Sequence, residues 1–500
     1  MSLLGIDVGT TGCKSAAFSV DSGKLIASAY SEYPVHRPRP DRAELDSREV
    51  FSKIKECITQ VLSKTKKDPV TAICISSMGE AMTPVSAKRE ILGNSILMTD
   101  IRGAEYIRKL KIEIGQNKFY EINPNILGTN YSLPKLMWLM KHEPALYKKA
   151  WKFLLWGDLV AFMLGAEPLT SYSLANRTLL FDIHKENWSD FLLEWSGFDR
   201  NKLPECVPSG SIAGTVSDEI SKELGLPAGV KIVVGGHDQC CNSLGAGINI
   251  PHKAICGIGT FECITPTYKN MPQVSRMLKA GLNIEHHVVK DLYVSFIYNQ
   301  SGSLIRWFRD TFASADKKLL AGKTDIYDIL ASEMPEEPTQ LLVLPHFEMT
   351  GTPDFISDSS GVIAGLKIST TRGEILKAIM EGATFYFVES INQLKEMGID
   401  TSEFIATGGG AKSNHWLQIK ADIFGVPFVR PRVTECGLLG AAILAGFATG
   451  ELSGIEQGIS TFVKHDRVFE PDLSRHRIYQ EQYAKYRQLY PSMKKLLLKI

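Results

Sequence analysis

Asp238 stands just past an apolar run and two glycines, in Ile232-Val233-Val234-Gly235-Gly236-His237-Asp238-Gln239. The apolar run reads as a buried strand and the glycines as the turn that opens beyond it. A carboxylate presented there points into a cleft, and neighbours that keep it ionised make it a general base for a hydroxyl. The plain alternative is a turn aspartate that caps the following helix. Two other stretches carry the donors that a phosphate needs. Gly9-Thr10-Thr11-Gly12 follows an apolar run at Leu3 to Val8, and Gly259-Thr260 follows another at Ala254 to Ile258. Each collects backbone N–H groups and hydroxyls at one turn. Asp7, on the first of these runs, is placed to hold a metal ion directly or through water. A glycine triplet, Gly408-Gly409-Gly410 with Ala411, precedes a helix from about Asn414 to Phe424. It lets a flat ligand lie against the backbone at a helix N-terminus. This is not a Walker A loop, because Ala406 stands where the first glycine belongs and Ala411 precedes Lys412. Neither a His-Arg-Asp loop nor an Asp-Phe-Gly motif occurs.

The elements that must position these residues follow from periodicity. Leu3 to Val8, Lys14 to Val20 and Leu25 to Tyr30 read as a β-meander. Ser47 to Lys64 reads as an amphipathic helix with Ser47 as its N-cap. Val70 to Ser76 is a buried strand that runs into Met78-Gly79-Glu80. Asp100 and Arg102, two apart in extended backbone, point to one side; they bind the hydroxyls of a small polyol or sugar, or pair with each other. Residues 104–165 read as mostly helical and Thr170 to Asp182 as a loop. Thr371 and Glu374 have capping-box spacing and open a long helix ended by Gly398. The second half repeats the strand, Gly/Thr turn and strand of the first, so the fold is read as an internal duplication. The domain boundary is placed at about 245, giving domains 1–245 and 246–500.

A chain of 500 residues exceeds a single core, and 44% hydrophobic with 22% charged residues describes an ordinary globular protein. A net charge of +1 provides no field for nucleic acid or a membrane surface. Nine cysteines without a Cys-x-x-Cys pair argue against a disulfide framework and a zinc ribbon and fit a reducing cytoplasm. No apolar run reaches the roughly 20 residues of a membrane span, and the N-terminus lacks a signal-peptide layout. Cys240 and Cys241 read as small packing residues.

These motifs, in this order, resemble the FGGY carbohydrate kinases over almost the whole chain. The resemblance rests on Gly5-Ile6-Asp7-Val8-Gly9-Thr10-Thr11, Pro134-Lys135-Leu136 with Trp138-Leu139, Gly361 to Leu366 with Glu374-Ile375 and Ala378 to Glu381, Gly235 to Gln239, and Gly408 to Ala411 with Gln418 and Ala421-Asp422. It implies an α/β protein of two actin/Hsp70-like (ribonuclease H-like) domains closing over a cleft. It also implies ATP, Mg²⁺ and transfer of phosphate to a sugar or polyol hydroxyl, with a small molecule as partner and often a homodimer. By the same mapping, Asp238 resembles the catalytic base, and Asp7 with Asp238 the metal-site acids. Thr10, Thr11, Lys14, Gly259 and Thr260 resemble the phosphate turns, and Gly409, Gly410, Ala411 and Asn414 the adenosine site. Met78, Glu80, Asp100, Arg102, Asp238 and Gln239 resemble acceptor-facing positions.

The acceptor is implied less directly. Glycerol kinases carry Gln-Arg-Glu where this chain has Met78-Gly79-Glu80, so the arginine suited to a small triol is absent. Xylulose kinases carry Met-His-Gly there, agreeing only at Met78. Their Trp-Asn-Asp-Gly-Arg is matched here at Asp100 and Arg102 without the tryptophan, and Gln239 follows the glycerol kinase pattern. A ketopentose, xylulose first, is the expected acceptor; other polyols (glycerol, erythritol) or a sugar acid of the gluconate type are alternatives. Outside the kinases stands an actin/Hsp70-like ATPase, which needs a peptide domain or an assembly surface not visible after residue 470.

Overall fold

The computed structural model describes residues 1–319 and 325–499. The first half is organised on a six-stranded sheet. Its core strands are β1 (Ser2–Val8), β2 (Gly12–Ser19), β3 (Leu25–Glu32), β4 (Val70–Ser77) and β5 (Lys231–His237). β1 to β3 form the antiparallel meander, β4 lies parallel to β1 and β5 parallel to β4, with Ile212–Thr215 on the edge. Helix α1 (Ser47–Leu62) covers one face. Val50, Ile54, Ile58 and Val61 are buried against Leu4, Ile6, Val8 and Ile75, which follow the two-residue alternation of their strands. The N-cap of α1 is Asp46, whose carboxylate accepts from the N–H groups of Arg48 and Glu49, and not Ser47. Ser47 is instead buried and hydrogen-bonded to Thr83 and Ser95, which removes its hydroxyl from the helix end.

The second half repeats this order. β6 (Lys253–Ile258) and β7 (Phe261–Tyr268) are antiparallel, β8 (Glu403–Thr407) lies parallel to β6, and β9 (Phe428–Pro431) parallel to β8. The duplication read from the two Gly/Thr turns is thus a duplication of sheet topology, the ribonuclease H-like arrangement occurring twice. Between the sheets lie α2 (Asp238–Gly245), which continues directly from β5, and α5 (Cys436–Thr449). Leu438, Leu439, Ile443 and Leu444 of α5 pack on Leu3, Phe18, Cys74 and Val233 of the first sheet. A helix from the second half of the chain therefore completes the core of the first.

The capping box at Thr371 and Glu374 is present and opens α3 (Arg372–Glu396). That helix is buried around most of its circumference between Leu376 and Val388. α4 (Asn414–Phe424) has the predicted bounds, with Ser413 as N-cap. One sequence expectation fails locally. Residues 104–165 are mostly helical, as read, and also include the strand Lys152–Leu155, paired with Met82–Val85; the expected loop at 170–182 instead contains most of the strand Leu169–Ser171 and the helix Tyr172–Asn176. The two strands are short and their partners lie far off in sequence, so no local period announces them.

Inside the second half, Lys420 of α4 and Glu262 of β7 form a fully buried ion pair, Nζ to Oε1 2.6 Å. Ser301 donates to the other carboxylate oxygen at 2.7 Å. This joins the strand behind the second Gly/Thr turn to the helix behind the glycine triplet. Lys420→Met strands Glu262 without a cation, and we expect a loss of about 3–5 kcal/mol in urea unfolding; a loss within experimental error would mean that the pair does not support the fold.

Candidate functional site

The site lies where the parallel strands of the first sheet end, the usual location for ligands in such sheets. Asp7, Ser76 and Gly236 are register partners across β1, β4 and β5. Ser76 Oγ donates to Asp7 Oδ1 at 2.7 Å. Asp238 follows two residues beyond Gly236 as the first residue of α2, with His237 at the N-cap, so it is not the capping aspartate that the sequence left open. β5 approaches β4 so closely that a Cβ on Gly235 would lie 1.9 Å from the Ile75 carbonyl oxygen. That contact accounts for the first glycine of the pair. The side chain of Asp238 is 34% exposed, enough to meet a ligand.

The charge of Asp238 reaches Asp7. Burial, and then the charge of Asp238, raise Asp7 from 3.8 to about 6; Ser76 and Lys14 pull the other way. Removal from water also raises Asp238, against the opposing pull of His237. Two oxygen donors in this state suit a hard divalent cation, which supplies the missing positive charge.

Beside Asp238 runs a buried chain of charges. His237 Nε2 lies 3.4 Å from Asp238 Oδ1, and His237 Nδ1 lies 2.9 Å from Glu285 Oε1. Arg177 Nη1 is 3.6 Å from Glu285 Oε2, and Arg177 Nε donates to Glu80 Oε1 at 2.9 Å. Burial works against the imidazolium of His237, but Glu285 and Asp238 outweigh it and raise its pKa. Burial likewise works against the carboxylate of Glu80, and Arg177 outweighs it, lowering Glu80. His237, Cys240 and Glu285 form a compact trio of potential metal ligands, yet the Arg177 cation already satisfies the local need for positive charge.

The structure thus brings Asp7, Asp238, Met78 and Glu80 to one sheet end. Met78 is buried, with its N–H bonded to the Val8 carbonyl, and Gln239 is partly exposed beside Asp238. Asp100 and Arg102 pair with each other in a turn and not in extended backbone, Nη2 to Oδ2 2.7 Å. Arg102 also reaches Glu44 at 2.6 Å and lies over the Trp138 ring. Burial opposes ionisation of Asp100, and hydrogen bonds from Arg102 and the Ala43 N–H overcome it, lowering its pKa. No hydrogen bond among the described residues ties this pair to Glu80 or Asp238.

Thr10 and Thr11 sit on the turn closed by the Gly9 N–H to Gly12 carbonyl bond of 3.0 Å. Lys14 Nζ is held by Glu435, the N-cap residue of α5, at 2.7 Å. At the second turn, Gly259 and Thr260 accept from the N–H groups of Gly302 and Ser303, and Arg306 donates to Thr260 Oγ1 at 2.9 Å. At the glycine triplet, Gly409 is open: a Cβ added there would meet nothing within 4 Å, whereas one on Gly410 would meet Ile258 at 2.3 Å. Ala411 is buried, and Asn414 Oδ1 accepts from Arg430 at 2.9 Å. Sequence reading missed Arg177, Glu285, His237, Ser76 and Glu435. Glu80 and Arg177 are 97 residues apart, and Arg177 lay in the segment expected to be a loop.

Comparison with known proteins identifies the family and the fold. The model of the FGGY family of carbohydrate kinases, N-terminal domain, matches residues 2–245, and that of the C-terminal domain matches residues 266–449. The chain is 28% identical over 499 residues to xylulose kinase of Bacillus subtilis (strain 168), covering 99% of this chain and 97% of that one. It is 28% identical over 521 residues to autoinducer-2 kinase of Salmonella paratyphi B, covering 99% and 95%. In fold it resembles ligand-bound xylulose kinase from Lactobacillus acidophilus, with a TM-score of 0.87 and 23% identity, covering 99% and 98%.

The raised pKa of Asp7 couples stability to pH. The folded chain holds that proton more tightly than the unfolded chain, so stability is lost as pH rises from 3.8 through about 6. Asp7→Asn is free of that loss. In EDTA, its thermal midpoint is expected to gain on the wild type as pH goes from roughly 5 to roughly 7.5; a gain that shrinks over this range would contradict the assignment.

Proposed function

This chain belongs to the FGGY family of carbohydrate kinases, and on that basis we propose that it phosphorylates a hydroxyl of a ketopentose, xylulose first, with ATP as phosphoryl donor. The observation that carries the reading is the placing of Asp7 and Asp238 at one end of the first sheet, where burial raises the pKa of both and the charge of Asp238 raises Asp7 further. One of them lies beside the acceptor-facing Glu80 chain. Curated relatives named xylulose kinase support the choice of acceptor; relatives named autoinducer-2 kinase keep other polyhydroxylated acceptors in view. The change from Met-His-Gly to Met78-Gly79-Glu80 favours that second reading.

In this mechanism a sugar hydroxyl enters against Asp238, which accepts its proton as attack on the γ-phosphorus develops. Met78, Glu80 and Gln239 orient the acceptor, while Asp100 and Arg102, tied to each other, brace its border. Lys14, the Thr10-Thr11 turn and the Gly259-Thr260 turn take up charge on the phosphoryl oxygens. Gly409, Gly410, Ala411 and Asn414 seat the adenosine. Asp7 and Asp238 fit Mg²⁺, which would neutralise phosphate charge when bound. Domain closure excludes water, the competing acceptor. The two domains divide at residue 245. The nine free cysteines suit a cytoplasmic enzyme. No described helix is long and apolar enough to cross a membrane, and a homodimer follows the family's habit.

ADP release with ATP and Mg²⁺, measured over xylulose, ribulose, glycerol, erythritol, ribitol, gluconate, fuculose and a no-sugar control, tests the reading. Xylulose is expected to raise release far above the control. Release that no sugar alters would favour a plain ATPase. Asp238→Asn is expected to lose roughly two to four orders of magnitude in turnover while still binding ATP; near-wild-type turnover would remove Asp238 from the role of base.

A further inference from the structure

We infer that Arg177 is a specificity-determining residue, which with Glu80 reads two neighbouring hydroxyls of a neutral polyhydroxylated acceptor. The inference rests on the kinase reading above and adds the chemistry that selects the acceptor. Its ground is the space at Gly79. A Cβ there would lie 2.8 Å from Arg177 Cγ and 3.1 Å from His237 Cδ2. Any side chain at 79 would therefore displace the stem of Arg177 from beside the histidine that touches Asp238. Glycine at 79 and arginine at 177 are one feature: the side chain absent from the strand end is replaced by one arriving from the helix at Tyr172–Asn176.

The guanidinium is fixed but not saturated. Nε and Nη2 both go to one oxygen of Glu80, Oε1. Nη1 makes no hydrogen bond among the described residues and stands 3.6 Å from Glu285 Oε2. The rings of Tyr131 and Phe296 lie 4.8 Å and 5.6 Å from the guanidinium carbon. With a side chain only 10% exposed, Arg177 offers a ligand little more than an edge. Glu80 Oε2 makes no hydrogen bond among the described residues. A carboxylate oxygen that needs a donor thus lies beside N–H groups that need an acceptor, and a vicinal diol satisfies both: one hydroxyl donates to Glu80 and the next accepts from Arg177. Three carboxylates, Glu80, Glu285 and Asp238, face Arg177 and His237 in this chain of contacts, so a sugar acid brings its charge to a site already rich in negative charge. A polar site of this kind rejects an analogue that lacks the matching hydroxyl, because its own buried groups are then left unpaired.

The test compares wild type, Arg177→Ala, Arg177→Lys and Glu80→Gln on xylulose and on its monodeoxy analogues, at saturating ATP. Wild type is expected to prefer xylulose strongly over the analogue lacking the hydroxyl that Arg177 reads. Arg177→Ala is expected to raise KM for xylulose about tenfold or more, the effect of about 1.4 kcal/mol, and to abolish preference at that carbon alone, with KM for ATP unchanged. Arg177→Lys is not expected to restore it, because a point charge cannot reproduce the fork. Glu80→Gln, which keeps its shape, is expected to lose preference at the adjacent carbon. A purely structural Arg177 would lower kcat/KM for all analogues alike, and unchanged discrimination in both Arg177→Ala and Glu80→Gln would overturn the inference. If wild type ignores xylulose, the acceptor reading fails; the same comparison on the polyol that does raise ADP release then decides the role of Arg177 by the same two outcomes.

Discussion

Helices α2 and α5 touch backbone to backbone, and the site takes its geometry from that contact. A Cβ on Gly245 would lie 1.8 Å from the Cys436 carbonyl oxygen, and one on Gly440 1.9 Å from that of Cys241. On the far side of α5, a Cβ on Gly5 would lie 2.2 Å from the Leu438 carbonyl oxygen. Side chains normally hold packed helices about 8–10 Å apart, and glycines on both surfaces remove that spacer. Asp238 begins α2, Glu435 caps α5, and Asp7 is two residues beyond Gly5 on the strand beneath. One close crossing therefore places Asp238, Asp7 and the partner of Lys14 together. It also joins the two sheets, because α5 belongs in sequence to the half whose partner sheet it covers.

That arrangement leaves charges in two different conditions. Along Glu80, Arg177, Glu285 and His237, signs alternate, and each buried charge has an opposite neighbour that compensates its lost hydration. At Asp7 and Asp238 burial is not fully offset by Lys14 and His237, the charge of Asp238 adds to it at Asp7, and both groups hold their protons more tightly than in water. The first condition makes a rigid wall. The second makes a place that added positive charge would relieve. The Glu262–Lys420 pair extends the rigid condition into the second half, behind its Gly/Thr turn and its glycine triplet.

Much of this was legible in the sequence where one strand or helix carries its own pattern. The apolar runs at 3–8, 70–76, 232–234 and 254–258, the Gly/Thr turns, the capping box at Thr371 and the bounds of α4 are local signals, set by side-chain alternation and turn chemistry. Asp7 and Asp238 were readable because each stands at a strand end that glycines mark. The resemblance of these motifs to the FGGY kinases extended the reading to residues whose own patterns are weak, such as Gly409 and Asn414.

The order of residues along the chain was enough to point to a class of chemistry: strand-end acids, two Gly/Thr turns and a glycine triplet, in an order that implies a duplicated fold. How the acceptor side is built emerged only on folding. Arg177 lies in a segment without periodicity, Glu285 is a single acid on a two-residue strand, and Gly79 gives no sign in one dimension that an arginine 97 residues from Glu80 occupies its missing volume. Folding likewise committed Asp100 and Arg102 to each other. The physical reason is range. Backbone preference and side-chain alternation act over a few residues and are written in order along the chain, whereas charge compensation and volume filling act between surfaces that are distant until the chain folds.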